Sequence, residues 1–377
     1  RALGSELARA GVAVDVLTRA EHPEQPPVVV VEPGFRVLHV EAGPLVPVPR
    51  HELPELVGAF TAAARARLER CATAYDVLHA NYWVSGAVGH RLKHELDLPL
   101  VTTFHTLERV KAEVGLADDV ELRPRVEAEV VRCADLVVAS TLEEREQLVR
   151  HYGADPNRIE IIPPGVDHRV FSPGDRQAAR RHIGLPPGPT VLFVGRIQPL
   201  KGIQLAARTL AALEATRSTL IIVGGPSGTS GDTEVAALRA LVAELGIEAR
   251  VRFVHPQPHE RLVSYYRAAD VCIVPSHTES FGLVALEAAA CGTPVVAANV
   301  GGLRHIIEHG ASGYLVDGRD PEAFAAPIDR ILRGDTATAG MRTYSVERSA
   351  RYRWSIAAAR LRRQYDDIAA RELVQCT

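Results

Sequence analysis

Lysine is almost absent from this chain: Lys93, Lys111 and Lys201 stand against forty arginines. A sequence that writes nearly every cation as arginine fits a GC-rich genome. Each lysine that remains marks a position to ask about, because the two cations are not equivalent where a compact point charge is wanted. A basic excess is missing too. The net charge is -3, and without a Lys/Arg-rich tract the chain is not expected to take nucleic acid or an anionic membrane surface as a partner. No apolar run approaches the ~20 residues that span a bilayer. Cysteine is scarce and scattered: Cys71, Cys133, Cys272, Cys291 and Cys376 form no CxxC and no metal-ligand spacing. Buried, reduced thiols in a cytoplasm are the expectation. Neither an initiator methionine nor a signal peptide is visible in the numbered sequence. The chain opens at Arg1 inside an amphipathic helix, "RALGSELARA", that ends at Gly11. Such a helix needs a strand before it, so a preceding N-terminal segment is expected.

What is present reads as two α/β series. At 377 residues two domains are the prior. After the strand "VAVDVLT", short Val/Ile-rich runs alternate with helices: "YDVLHA", "PLVTTFH", "DLVVAS" and "IEIIPPG". Runs of this kind bounded by turns predict parallel strands buried on both faces, and their alternation with helices predicts a doubly wound domain. The Pro- and Gly-dense stretch around 163 to 175 reads as a linker. A second series follows with six strands, "TVLFVGR", "STLIIVGG", "RVRFVHP", "DVCIVPS", "TPVVAAN" and "SGYLVD". The last helix, "RYRWSIAAARLRRQYDDIAARE", is long enough to return to the first domain.

Ligands in open α/β sheets bind beyond the carboxyl ends of the strands. There, "FVGRIQPLKG" places Arg196 and Lys201 in one loop with Gly195 and Gly202, a set that can hold a diphosphate. Gly224 and Gly225 leave the next strand end open, and "VRFVHP" offers backbone to a base edge. "VPSHTESFG" leads into a helix whose first amides, near Gly282 and Leu283, attract phosphate oxygens. Glu287, one turn inside, can accept two ribose hydroxyls; Glu279 stands before the helix, nearer a reacting sugar. Taken singly, each glutamate reads better as a surface residue, and it is the set at successive strand ends that argues for a site. In the first series, His105 and Tyr82 end strands, where a structural histidine and a half-buried aromatic are the plainer readings. Arg50, Lys111 and Arg123 are each, alone, a surface charge. Asp135 reads as the residue that starts a strand and nothing more.

"FVGRIQPLKG", "PPGVDHRVF" and "ESFGLVALEAAACGTPVVAANVGGL" resemble the family 4 glycosyltransferases of the GT-B fold, over nearly the whole chain. "YDVLHANYWVSGAVG", "HTLERVK", "YGADPNRIEIIPPGVD" and "HPQPHERLVSYYRAADVCIVPS" look like the branch that glycosylates inositol phosphate in mycothiol biosynthesis. The resemblance implies two Rossmann-like domains facing a central cleft: an acceptor domain over 1–165, a nucleotide-sugar domain over 166–350, and a C-terminal helix, 351–377, on the first. It implies retaining transfer with no metal or other cofactor, from a nucleotide sugar such as UDP-N-acetylglucosamine to a small acceptor such as 1L-myo-inositol 1-phosphate. A cytoplasmic homodimer is part of the same expectation. Arg196 and Lys201 would bind the donor diphosphate, Glu287 the ribose, and backbone near Arg252 and Phe253 the base. Glu279, Ser280, Phe281, Gly282, Leu283, Gly195 and Gly225 would line the donor, and His105 would touch its sugar. The acceptor would lie among Arg50, Tyr82, Thr106, Lys111 and Arg123. Arg50 departs from the family, where a lysine is expected, and "NYW" lacks the usual histidine before the tyrosine. The family's glycine-rich loop before the first helix is not in the numbered sequence.

Two other readings use the same residues. One is a natural-product glycosyltransferase with another UDP- or GDP-sugar and an unphosphorylated thiol or cyclitol acceptor. The other is a nucleotide-sugar binding protein without turnover.

Overall fold

A computed structural model describes residues 1–377 apart from 71–73, 118, 120, 186, 229–230, 335–337, 339 and 377. The chain divides into two compact units, Arg1–Gly165 with Trp354–Thr377, and Val166–Arg353.

In the first unit, β1 (Val14–Arg19), β2 (Val28–Glu32) and β3 (Phe35–Val40) form one sheet in the order β1-β3-β2. β1 runs parallel to β3, and β2 runs antiparallel to it. Neither β2 nor β3 was expected. Their run "VVVVEPGFRVLHV" holds a Pro-Gly turn that folds the second strand back on the first, an antiparallel hairpin in a chain read for parallel strands. β4 (Leu78–Asn81), β5 (Leu100–Thr103), β6 (Leu136–Ala139) and β7 (Ile159–Ile161) form a parallel sheet in sequential order.

Both faces of this parallel sheet are covered, as its unbroken apolar strands require. Leu100, Val137 and Ala139 point to one side, against Trp83, Val130 and Leu148. Val101, Leu136 and Val138 point to the other, against Leu7 and against Ala357, Ala358, Leu361 and Ile368 of the terminal helix Trp354–Ala369. That helix therefore shares with Leu7 the cover of one face of a sheet formed much earlier in the chain, and each fully buried leucine contributes about 2 kcal/mol.

In the second unit, β8 (Thr190–Val194), β9 (Thr219–Val223), β10 (Val251–Val254), β11 (Val271–Val274), β12 (Val295–Ala298) and β13 (Gly313–Val316) make one parallel sheet. Its order is β10-β9-β8-β11-β12-β13, the order of a dinucleotide-binding fold, with the reversal between β8 and β11. Alternate residues face opposite cores: Val191, Phe193, Leu220, Ile222, Val271 and Ile273 lie on one side. Leu192, Ile221, Val223, Cys272 and Val274 lie on the other. Phe171, from the stretch read as a linker, is fully buried in this second core. That stretch is part of the unit, and the chain enters and leaves side by side, with Val166 N–H donating to Tyr352 O at 3.1 Å.

The cysteines depart from expectation. Cys133 and Cys376 lie 243 residues apart in sequence, yet their sulfurs are in contact and their Cα atoms are 5.1 Å apart. Sequence spacing cannot reveal a pair that only the returning C-terminal segment brings together. Cys272 and Cys291 are buried free thiols, and Cys71 lies outside the described residues. Among the described residues no helix is long and apolar enough to cross a membrane.

His79 ties the terminal helix to the sheet: Nδ1 meets the Tyr365 hydroxyl at 2.6 Å and Nε2 the Thr103 hydroxyl at 2.8 Å. Burial, assisted by the neighbouring His105, pushes its pKa down to about 4 from 6.5. The unfolded imidazole thus binds a proton that the folded one refuses between those values, so stability is complete above pH 6.5 and falls as pH drops toward 4. The full shift would be worth ~3 kcal/mol; because the residue keeps some surface toward water, about half is expected. Denaturant unfolding at pH 7 and pH 4.5 should show that His79→Gln loses ~1–2 kcal/mol of the wild-type difference between the two conditions. An unchanged difference would place the proton elsewhere.

Candidate active site

In the second unit the reversal between β8 and β11 brings two loops to one sheet edge. The loop after β8 carries Gly195, half-buried Arg196 and Lys201; the loop after β11 carries Ser276, Glu279 and Ser280. Lys201 Nζ lies 2.6 Å from Glu279 Oε2, which also accepts from the Ser276 hydroxyl at 3.1 Å. Two segments some 78 residues apart thus share one ion pair. Gly202 is what lets the loops approach: with φ +64°, a Cβ there would stand 2.1 Å from the Pro275 carbonyl oxygen. Arg319 enters the same group from the loop after β13, Nη1 donating to the Ser276 carbonyl at 3.4 Å. Desolvation lowers its pKa, and the charge of Arg319 adds to the desolvation that lowers that of His277.

The helix Leu283–Ala290 starts directly beyond Glu279. Its N-terminal residue Gly282 has φ +102° and no side chain to cap the first turn, so the amides there remain available to an anion. Phe281 is buried, edge-on to Tyr352 at 5.5 Å, so its backbone rather than its ring is what the turn can offer. Leu283 is exposed. The turn is braced by Gly301 and Gly302: the Gly302 N–H donates to Glu279 O at 2.9 Å, and a Cβ on Gly301 would meet that oxygen at 2.0 Å.

Glu287 sits one turn inside the helix and is nearly buried. Its Oε2 accepts from the Tyr266 hydroxyl at 2.8 Å and its Oε1 faces His259 Nε2 at 2.8 Å. The hydrogen bond that His259 makes to the Glu287 carboxylate raises its pKa, against some desolvation, and the His259 ring lies edge-on to Phe171 at 4.7 Å. The Gly225 carbonyl accepts from the Ile197 N–H at 2.8 Å, which aligns the ends of β8 and β9. Arg252 and Phe253 lie on β10, an edge strand; Arg252 turns its guanidinium to Gly184 O at 2.8 Å, and the Phe253 ring packs beneath Arg239.

The first unit gathers a second group. Arg123 is buried and donates through Nη2 to the Thr106 carbonyl and hydroxyl, both at 2.9 Å, and through Nη1 to the Tyr82 hydroxyl at 3.4 Å. Arg50 is exposed and lies over the Tyr82 ring, 5.5 Å from its centre. Lys111 joins through Glu108: its Nζ is 3.1 Å from Glu108 Oε2, which is 2.7 Å from Arg123 Nη1. Glu127 completes the cluster, accepting from Arg123 Nε at 2.7 Å, from the Glu108 N–H at 3.0 Å and from the Tyr152 hydroxyl. Desolvation raises the Glu127 pKa, the Arg123 charge opposing it; desolvation works to lower the pKa of Arg123, and Glu127, Tyr82 and Glu108 outweigh it and hold it above its ordinary value. Lys111 and Arg123 are therefore buried cations balanced by buried anions, where surface charges would have been the plain reading. His105, at φ +64°, bonds Asn81 Oδ1 at 3.0 Å. Desolvation lowers its pKa although much of the residue stays open to water.

Sequence reasoning missed Glu108, Glu127, Asn81, His259 and Arg319. Two of these had a visible signal: Glu108 precedes Lys111 by three positions and Arg123 precedes Glu127 by four, spacings that pair on one helix face. His259 and Arg319 come from distant elements and had none.

Comparisons with known proteins bear on the family and the fold. Residues 1–170 match the family described as Glycosyltransferase Family 4, and residues 175–348 match Glycosyl transferases group 1. The D-inositol 3-phosphate glycosyltransferase of Acidothermus cellulolyticus is 52% identical over 341 residues, covering 88% of this chain and 76% of that protein. The structure of sucrose-phosphate synthase from Thermosynechococcus elongatus superposes with a TM-score of 0.89 at 35% identity, covering 98% of this chain and 92% of that one. The Anabaena protein HepE, solved in complex with UDP-glucose, shares the fold with a TM-score of 0.75 at 23% identity, covering 88% and 86%. The chain belongs to the family 4 glycosyltransferases and is a hexosyltransferase-type enzyme of the GT-B fold.

Proposed function

We propose that the chain moves N-acetylglucosamine from UDP-N-acetylglucosamine to D-inositol 3-phosphate (1L-myo-inositol 1-phosphate), with retention at the anomeric carbon and without a metal cofactor. The observation that carries the donor half is Lys201, held at 2.6 Å by Glu279 beside the uncapped start of the helix Leu283–Ala290. A diphosphate would take its charge compensation from Lys201, Arg196 and the helix amides, the groups that stabilise charge developing on a leaving group. As the bond from the anomeric carbon to the diphosphate oxygen breaks, that oxygen would accept the proton of the attacking acceptor hydroxyl on the same face. Glu279 keeps Oε1 for a sugar hydroxyl while Oε2 steadies the ammonium. Glu287 would accept ribose hydroxyls on lone pairs left over from Tyr266 and His259.

The acceptor half rests on Arg50, Tyr82, Thr106 and Arg123, and on the name carried by the relative that is 52% identical. Within that group only Arg50 is exposed, so it is the cation with charge to spare for a phosphate. Arg123 and Lys111, spent on Glu108 and Glu127, would shape the pocket and hold Thr106 and Tyr82 in place.

Mass spectrometry of the protein incubated with UDP-N-acetylglucosamine and D-inositol 3-phosphate is the direct test. The glycosylated inositol phosphate and UDP should appear together. UDP release without that product would keep the donor and overturn the acceptor, moving it toward an unphosphorylated cyclitol or thiol. Neither product would overturn the donor.

Lys201→Ala should lower kcat by about 10²- to 10³-fold with little change in melting temperature, since the pair it breaks is partly solvated. Near-normal turnover would sink the diphosphate assignment. Arg50→Ala should raise the acceptor KM about tenfold, roughly the worth of one exposed charge-assisted contact, and leave the donor KM unchanged. Arg123→Ala is expected to unfold the first unit instead, because it leaves two buried carboxylates to one lysine, a cost of about 3–5 kcal/mol.

A further inference from the structure

The pair Cys133–Cys376 does not stand alone. Two imidazoles from one helix face converge on it: His94 Nε2 lies 3.3 Å from Cys133 Sγ and 3.2 Å from Cys376 Sγ, and His90 Nε2 lies 3.9 Å from Cys376 Sγ. All four ligand atoms fall within 4.8 Å of one another. His90 and His94 are four positions apart on the helix Trp83–Leu96, the spacing that points two imidazoles the same way. Cys133 ends the helix Leu122–Cys133, and Cys376 comes from the segment beyond the terminal helix.

We infer that His90, His94, Cys133 and Cys376 bind one zinc ion, a closed structural site that fastens the C-terminal segment to the first unit. Geometry supports it. Zn–S bonds of ~2.3 Å and Zn–N bonds of ~2.0 Å at tetrahedral angles put sulfur and nitrogen about 3.5 Å apart, and the three sulfur–nitrogen distances here bracket that value. The two sulfurs must part to about 3.8 Å to admit the ion. Two thiolates and two neutral imidazoles around Zn²⁺ carry no net charge, so the buried Cys133 can take part without a stranded ion. A disulfide would use the same cysteines but would give the two histidines no task.

The surroundings are arranged to hold these ligands. Lys93 is 1% exposed; its ammonium donates to Cys133 O at 2.8 Å and to Asp135 Oδ2 at 2.7 Å. Asp135 Oδ2 also accepts from Leu100 N–H at 2.7 Å, and Oδ1 accepts from Val374 N–H at 2.7 Å, two residues before Cys376. One carboxylate thus fixes the backbone that carries Cys376 to the lysine that fixes Cys133. Outer partners of this kind orient metal ligands. His90 stands eight residues along the helix from Tyr82, about 12 Å at 1.5 Å per residue, so the ion would lie away from the acceptor group and take no part in transfer.

The 377-residue chain, purified under reducing conditions without chelators, should carry about one zinc per molecule by elemental mass spectrometry. Titration of the unfolded protein should then find five free thiols. Cys376→Ser and His94→Ala should each reduce the zinc at least tenfold; both lie at accessible positions and should leave transferase activity near normal. Absence of zinc, with a mass 2 Da below the sum of the residues and three free thiols, would establish the disulfide and overturn the site. Zinc that survives both substitutions would sit elsewhere and overturn it equally, as would five free thiols with no metal.

Discussion

The point where β8 pairs with β11 governs the candidate site of the second unit. Parallel strands added to one side of β8 run outward as β9 and β10, and those added to the other side run outward as β11, β12 and β13. The loops leaving β8 and β11 must therefore diverge in direction while starting from adjacent strands, and a crevice opens between them. A crevice lined by strand ends is a poor place for charge unless opposite charges meet there. Lys201 and Glu279 meet there at 2.6 Å. Gly202, Gly282 and Gly301 are then the backbone positions that let three loops come within reach of each other, since a Cβ at any of them would enter a neighbour.

That part of the site was legible because it follows from topology and local chemistry. Six Val/Ile-rich runs separated by helices leave few sheets to choose from, and the residues at their carboxyl ends fall at one edge whichever is built. The pairing of Lys201 with Glu279 was not legible, since the sequence offers the ion and the acid but no distance. In the first unit the limits were different. β2 and β3 hide in a run with no helix between them, so a reading tuned to alternating strands and helices passes over it. Phe171 hides in a Pro- and Gly-rich stretch, where composition says loop and one buried ring says core. The meeting of Cys133 with Cys376 depends on where the terminal helix ends, a fact of packing that no spacing encodes.

Buried charge distinguishes the two units. The second exposes its ion pair to an open strand edge, where a ligand can compete for it. The first encloses Arg123, Lys111, Glu108 and Glu127 with almost no contact with water. Such a network contributes little stability compared with apolar residues of the same volume, because desolvation offsets most of the attraction. Its effect is geometric: with Glu127 fixed by Tyr152 and by the Glu108 N–H, the guanidinium of Arg123 has one orientation, and Thr106 and Tyr82 take theirs from it.

The three lysines answer the question that their scarcity raises. Each is paired with a carboxylate: Lys93 with Asp135 at 2.7 Å, Lys111 with Glu108 at 3.1 Å, and Lys201 with Glu279 at 2.6 Å. Two of them are almost fully buried. A guanidinium in those positions would bring five donors in a plane and would need acceptors for all of them. An ammonium needs fewer and can turn to find them, as Lys93 does between Asp135 and the Cys133 carbonyl. Where arginine is kept in the interior, at Arg123, four separate partners surround the fork. In a chain that writes its cations as arginine by default, lysine persists where the space admits a point charge and not a plane.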